Sequence, residues 1–258
     1  MSNLLGKLAR RTGLYGPARS LKARLDRLRP ARAAHRKRMA SFYSQFVRPG
    51  ALVFDVGANV GSRCEVFLEL GARVVAVEPQ PICQEVLARL FKGNDRLTLV
   101  CKALGEAPGE ATMYLSDTSG LSTLSKEWIE RVRKSGRFAG HDWSQVVTVP
   151  VTTIDALITE HGEPEFCKID VEGFEVQVLS GLSRPIRAAS FELTKETPEN
   201  AVACIDRLEA LGRYEYNFST SESMTMERTA WMGADEMKSV VRTALPVMYF
   251  GDVYARRA

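Results

Sequence analysis

The chain has 258 residues, 45% hydrophobic and 26% charged, with 35 Lys and Arg against 31 Asp and Glu and a formal net charge of +4. These proportions exclude collagen-like, disulfide-dense and wholly disordered proteins, and the length suits one large domain. Cys64, Cys83, Cys101, Cys167 and Cys204 are an odd number without a C-x-x-C pair, so neither a disulfide framework nor a structural zinc site is expected. No apolar run reaches the roughly 20 residues of a membrane-spanning helix, and a cytoplasmic protein is expected.

Charge divides the chain before any element does. Residues 1–40 hold twelve Lys and Arg against the single acid Asp26, a net +11, so the remainder carries −7. Leu21, Leu25 and Leu28 recur at i, i+4, i+7, the spacing of one helix face, and Pro17 and Pro30 bound that stretch. We read 1–48 as a basic, helical N-terminal arm and 49–258 as the catalytic domain. The arm would either contact an anionic membrane or glycan peripherally or lie as a solvated helix across the acidic body.

From residue 51 strands and helices alternate. The run 51–56 is continuously apolar apart from Asp55 and is bounded by Pro49-Gly50 and Gly57, as for a strand buried on both sheet faces. Helical spacing at Val66, Phe67 and Leu70 follows, then a strand at 73–77, a helix at 81–91 and a strand at 97–101. Strand-like runs recur at 166–170, 188–193 and 214–218, with helical stretches near 175–181 and 200–211. This alternation predicts an α/β fold, a doubly wound and mostly parallel sheet with right-handed crossovers. Residues 104–150 are rich in glycine and read as a more irregular elaboration beside the ligand crevice, in which 111–115 and 145–151 alternate like short strands.

The turn after the first strand carries the most specific chemistry. In FDVGANVG (54–61), Gly57 and Gly61 permit a tight turn, but Asn59 stands where the dinucleotide fingerprint requires glycine. Asp55 would repel a pyrophosphate and suits an ammonium group instead. Glu78, ending the second strand, is placed to accept both hydroxyls of a ribose. A nucleoside with an amino-acid tail in place of phosphates is S-adenosyl-L-methionine.

A second constellation is KIDVEGFE (168–175). Lys168, Asp170 and Glu172 leave a buried strand on alternate residues, so they must reach a site or pair with one another. With VEP (77–79), KALG (102–105), VTTID (151–155) and Phe191-Glu192, these strings resemble the FkbM family of methyltransferases over about 50–195. The resemblance implies a seven-stranded Rossmann-like sheet whose last strand, 248–255, runs antiparallel. It implies transfer of a methyl group to a hydroxyl of a carbohydrate or natural-product-like acceptor. Asp55, Gly57, Asn59 and Gly61 would line the methionine tail, Glu78 would hold the ribose, and Lys102, Ala103 and Leu104 would lie near the adenine. Asp170 and Glu172 would face the sulfonium and the incoming hydroxyl.

An alcohol needs its proton accepted as it attacks, and Asp170, Glu172 and Glu192 are the candidate carboxylates. Their structural alternative is an ion-pair network with Lys168. The family often places a histidine just after the glutamate of 191–192, where this chain reads Leu193-Thr-Lys-Glu196; His141 is the substitute the sequence offers, although a lone loop histidine is commonly a bystander. Two or three carboxylates are thin coordination for Mg²⁺, and no metal is assigned. Ser119-Gly-Leu-Ser-Thr123 is read as a loop that could shape an acceptor pocket, and Trp128, Trp143 and Trp231 as packing or sugar-stacking residues. A nucleic-acid methyltransferase is disfavoured because Asp170-Val-Glu-Gly occupies the place of an Asn/Asp-Pro-Pro-aromatic motif, and a non-catalytic nucleoside-binding scaffold ranks last.

Overall fold

The structure, a computed structural model, describes residues 30–244 and 250–258. The helix expected around 21–28 lies outside the described residues. The first described helix is α1, Pro30–Tyr43, opened by the proline that was expected to separate segments. Pro30 can do so because the N–H it lacks has no intrahelical partner in a first turn.

Next come β1 (Leu52–Val56), α2 (Ser62–Glu69), β2 (Arg73–Val77), α3 (Pro81–Leu90), β3 (Leu97–Val100) and β4 (Ala103–Leu104). β5 (Gly109–Leu115), α4 (Lys126–Ser135) and β6 (Gln145–Thr152) fill the stretch expected to be irregular, and α5 (Ile154–His161) leads to β7 (Phe166–Ile169). The chain ends through α6 (Glu175–Ser180), β8 (Ala188–Thr194), α7 (Pro198–Leu211), β9 (Tyr214–Thr220), α8 (Ala234–Ala244) and β10 (Phe250–Arg257).

The main sheet has seven strands in the order β3-β2-β1-β7-β8-β10-β9. β1 pairs in parallel with β2 and β7, and β10 is inserted antiparallel between β8 and β9. The chain thus winds outward from β1 in one direction, then returns across it to β7. That reversal leaves a crevice at the carboxyl ends of β1 and β7, where α/β sheets bind ligands. The doubly wound expectation holds, including the antiparallel final strand.

The β1 residues are buried throughout, so the strand reads as a continuous apolar run with Asp55 as its one interruption. Helices cover both faces. Ile154, Leu179, Ile205 and Met237 pack with Phe54 and Ile169 on one side, and Tyr43, Phe67 and Leu87 pack with Val53 and Phe166 on the other. The division expected at 48/49 does not coincide with a gap in packing. Phe46 stacks on Phe166 at 5.0 Å and on Tyr254 at 5.5 Å, so the last residues of the arm are part of the core.

Residues 104–150 contain the two short strands expected at 111–115 and 145–151, as β5 and β6, and a helix, α4, that was not expected. β4, β6 and β5 form a separate three-stranded sheet, and α4 buries Trp128, Ile129 and Val132. The Ser125 side chain accepts from the Trp128 N–H at 3.1 Å, and Gly136 closes the helix with φ +75°. These cap residues were the signal for α4.

Candidate active site

The crevice begins at Gly57, whose φ is +81° and where an added Cβ would stand 1.8 Å from the Asp170 carbonyl oxygen. Only glycine lets the first turn and the end of β7 approach so closely. Asn59 adopts φ +49°, a left-handed conformation that asparagine tolerates better than other side-chain-bearing residues. This is how the turn closes without the missing glycine.

Glu78 is anchored from both sides. Its Oε2 accepts the Asn59 backbone N–H at 2.7 Å and its Oε1 accepts that of Gln80 at 2.8 Å. Each oxygen retains acceptor capacity toward the cavity. Burial pushes the carboxyl up to about 7, against the pull of those backbone N–H groups. The Asn59 side-chain oxygen accepts the Ser119 hydroxyl at 2.9 Å, and the Gln80 amide donates to the Ser119 carbonyl at 3.0 Å. The loop expected to shape an acceptor pocket thus closes over the first turn, and its Leu121 also reaches a second, adjoining cavity.

A cavity of ≈ 730 Å³ opens here, lined by Gly57, Asn59, Glu78, Ala103, Leu104, Asp170 and Glu172 together with Met113 and Phe174. Not every expected contact lines it. Lys102 is exposed and absent from the lining. Gly61 caps α2 against Leu87 and Phe91, which an added Cβ would meet at 2.8 and 2.5 Å. Asp55 lies beneath the floor, 1% exposed, where it accepts the Cys64 thiol at 3.0 Å. Burial raises its carboxyl pKa and the nearby Lys168 ammonium opposes that rise. A buried strand thus carries this carboxylate below the site.

Lys168, with a side chain 1% exposed, donates to Asp170 at 2.6 Å. Burial disfavours ionised Asp170, but Lys168 and then Arg63 outweigh it and hold the carboxyl below its usual range. The ion pair weighed as a structural alternative is therefore present for Asp170. It does not extend to Glu172 or Glu192, which have no salt-bridge partner among the described residues. Burial first, and neighbouring carboxylates second, push both well above the ordinary range.

The turn after β7 is held by its own side chains. Glu175 accepts the N–H groups of Val171 and Gly173 at 3.2 and 3.1 Å, and the Thr123 hydroxyl donates to the Glu172 carbonyl at 2.7 Å. Glu172 takes φ +55°. Strand alternation was expected to carry Glu172 to the site, but β7 ends at Ile169 and this left-handed turn presents it.

A second cavity of ≈ 680 Å³ shares Asp170 and Glu172 with the first and adds Glu192, Trp128, Phe138, Arg63, Arg137, Phe250 and Asp252. One carboxylate oxygen each from Asp170, Glu172 and Glu192 lies within 4.8 Å of the other two, a spacing at which one cation could be held. His141 lines neither cavity; its Nδ1 lies 2.8 Å from an Asp117 carboxylate oxygen beside Phe138 and Trp143. The sequence reading missed Arg63, Arg137 and Asp252, which reach the site from distant elements without a local motif. Asp252 arrives by pairing register, opposite Glu192.

A reversal point flanked by a glycine turn, a buried carboxylate with acceptor capacity to spare and an acid-lined second chamber are features of the α/β methyltransferase fold, whose cofactor would be S-adenosyl-L-methionine. The residues present suit that cofactor: Glu78 keeps acceptor capacity for a ribose, apolar Leu104 and Met113 suit an adenine, and Asp170 and Glu172 suit a cationic sulfur. The model for the methyltransferase FkbM domain matches residues 55–218, and the chain belongs to that family. It is 30% identical over 158 residues to methyltransferase sdnD of Sordaria araneosa, covering 50% of this chain and 60% of that protein. It is 28% identical over 149 residues to the hexuronic acid methyltransferase AglP of Haloferax volcanii, covering 56% of this chain and 55% of that one. Among solved structures, the TehB-like SAM-dependent methyltransferase of Corynebacterium glutamicum aligns with 94% of this chain and 100% of its own, at TM-score 0.44 and 12% identity. The sheet order, and not so distant a likeness, carries the fold assignment. Among the described residues, no helix is long and apolar enough to cross a membrane.

Proposed function

We propose that this enzyme methylates a hydroxyl group on a carbohydrate or natural-product-like acceptor. The observation that carries the reading is the sharing of Asp170 and Glu172 by two adjoining cavities, so that one wall faces both a cofactor chamber and an acceptor chamber. The similarity to a hexuronic acid methyltransferase agrees with it.

The cofactor supplies a methyl group on a positively charged sulfur, already a strong electrophile. The chain must then position and accept a proton. Glu78 and the turn at Gly57 to Asn59 would hold the nucleoside. Asp170, kept ionised by Lys168, would favour the cationic sulfur on the cofactor side. Glu172 and Glu192 would take the hydroxyl proton, since burial and the neighbouring carboxylates raise the proton affinity of both. The basic segment 1–40 would bring the enzyme to an anionic membrane or glycan as a peripheral contact.

Calorimetry with S-adenosyl-L-methionine and mass spectrometry of a mixed sugar and polyketide-alcohol panel test this reading. A mass gain of one methyl group on an oxygen supports it. Methylation of nitrogen or carbon alone, with no oxygen product, would contradict it.

A further inference from the structure

Glu172 stands in a backbone conformation that residues of its kind rarely take. Its φ is +55° and that of Gly173 is +88°. Glycine enters this region freely, whereas a long side chain does so only at a cost that surrounding contacts must offset. Three hydrogen bonds supply those contacts. The Thr123 hydroxyl donates to the Glu172 carbonyl at 2.7 Å. On either side of residue 172, the N–H groups of Val171 and Gly173 donate to a single oxygen, Oε1 of Glu175, at 3.2 and 3.1 Å. Thr123 is itself a fixed post. Its backbone exchanges two hydrogen bonds with Tyr114 of β5, at 2.8 and 3.0 Å, and its buried hydroxyl oxygen accepts the Ser125 N–H at 2.9 Å. Glu175 is buried as well. Thr123 and Glu175 line neither cavity, while Glu172, which they flank, lines both.

We infer that Thr123 and Glu175 are positioning residues for methyl transfer: they hold residue 172 in its left-handed turn and so aim the Glu172 carboxylate at the wall the two cavities share. The inference rests on the role proposed above for Glu172 as proton acceptor, and it adds the residues that place it. A general base acts only within hydrogen-bond reach of the proton it takes, and a misplacement of about 1 Å can cost about 10²-fold in rate. Conformation alone would favour glycine or asparagine at 172. A glutamate there is explained by its side chain, and the neighbours stabilise the backbone it needs. All three hydrogen bonds go to backbone atoms of 171–173, so none of them occupies the Glu172 carboxylate. The cofactor turn is tied separately, through Ser119 to Asn59 at 2.9 Å, so loosening Thr123 leaves the nucleoside site in place.

The test joins a backbone signature to kinetics on the full chain. The protein is labelled with ¹⁵N-glutamate and saturated with S-adenosylhomocysteine, and the cross-peak of residue 172 is identified by its absence from Glu172→Gln. A strong nuclear Overhauser effect between the N–H and Hα of one residue marks a positive φ. It is expected in the wild type and in Thr123→Ser and Glu175→Gln, which keep the hydroxyl and the accepting oxygen. Thr123→Val and Glu175→Met should lose it. With S-adenosyl-L-methionine and a compound of the sugar and polyketide-alcohol panel that the wild type methylates, those two variants should lower kcat about 10²-fold. KM for that compound and S-adenosylhomocysteine affinity should change by less than about threefold, and the two conservative variants should keep kcat within about threefold of wild type. A purely structural role would lower the urea midpoint and leave signature and kcat at their wild-type values in the folded protein, which overturns the inference. A signature retained in Thr123→Val and Glu175→Met, or lost with kcat unchanged, overturns it too. Should Thr123→Val fail to fold, Glu175→Met gives the same readouts. A wild type that binds S-adenosylhomocysteine and methylates nothing in the panel would instead bring down the reading on which the inference rests.

Discussion

The two cavities are built by opposite strategies. The cofactor cavity answers its polar groups internally: Glu78 holds two backbone N–H groups, Asn59 holds Ser119, and Lys168 holds Asp170. The second cavity, the proposed acceptor chamber, holds Glu172 and Glu192 with no salt-bridge partner among the described residues, although Arg63 and Arg137 stand in its lining. A chamber that always receives the same cofactor can be preorganised by short contiguous motifs. The proposed acceptor chamber is instead assembled from distant elements, which bring Arg63, Arg137 and Asp252 together with Glu192.

Substitutions can break that contrast at either end. The largest effect is expected from Gly57→Ala, because a methyl group 1.8 Å from the Asp170 carbonyl oxygen cannot be accommodated without moving β7. S-adenosyl-L-methionine binding, measured by calorimetry, should be abolished. Glu172→Gln and Glu192→Gln should each lower kcat about 10²–10⁴-fold at saturating cofactor, the range for loss of a general base, with cofactor affinity changed much less. If both keep wild-type turnover, the acceptor chamber contains no base among these carboxylates.

Lys168→Met should destabilise the fold by about 3 kcal/mol in urea denaturation. That is the low end for breaking a buried pair, because Asp170 is 37% exposed and can recover some hydration. Cofactor affinity should also depend on pH. The carboxyl of Glu78 sits at about 7 in the free protein, and ribose hydroxyls donate best to its ionised form. Affinity should then be full above pH 7 and decline by up to about tenfold per pH unit below it. Glu78→Gln should flatten that profile while weakening binding throughout. The smallest effect belongs to Ser125→Ala, which removes the cap of α4. It should cost about 1 kcal/mol, a fall in Tm of roughly 2–4 °C.

The difference between the chambers also governs what could be read from the chain. FDVGANVG and VEP lie at strand ends, where apolar runs stop at glycine or acid, so local pattern located the reversal point and its ligand. Ala103 and Leu104, which the same resemblance singled out, line the first cavity. Asp55 was misleading as a direct ligand, because pattern shows that a charge ends a strand but not which side of the floor its carboxylate occupies. His141 was proposed on chemistry alone, and its loop carries it to Asp117. Arg63, Arg137 and Asp252 meet Glu192 only through tertiary packing and β10 register, and no spacing in the sequence encodes that meeting. α4 could have been found from Ser125 and Gly136, whose capping roles were hidden in a stretch judged by its glycine content.

The most direct test of the account is a crystal structure with S-adenosylhomocysteine bound. The account predicts ribose hydroxyls on Glu78 and the sulfur turned toward Asp170 and Glu172, open to the chamber that contains Glu192. A nucleoside whose sulfur faces away from those carboxylates, with no passage to the second chamber, would contradict it.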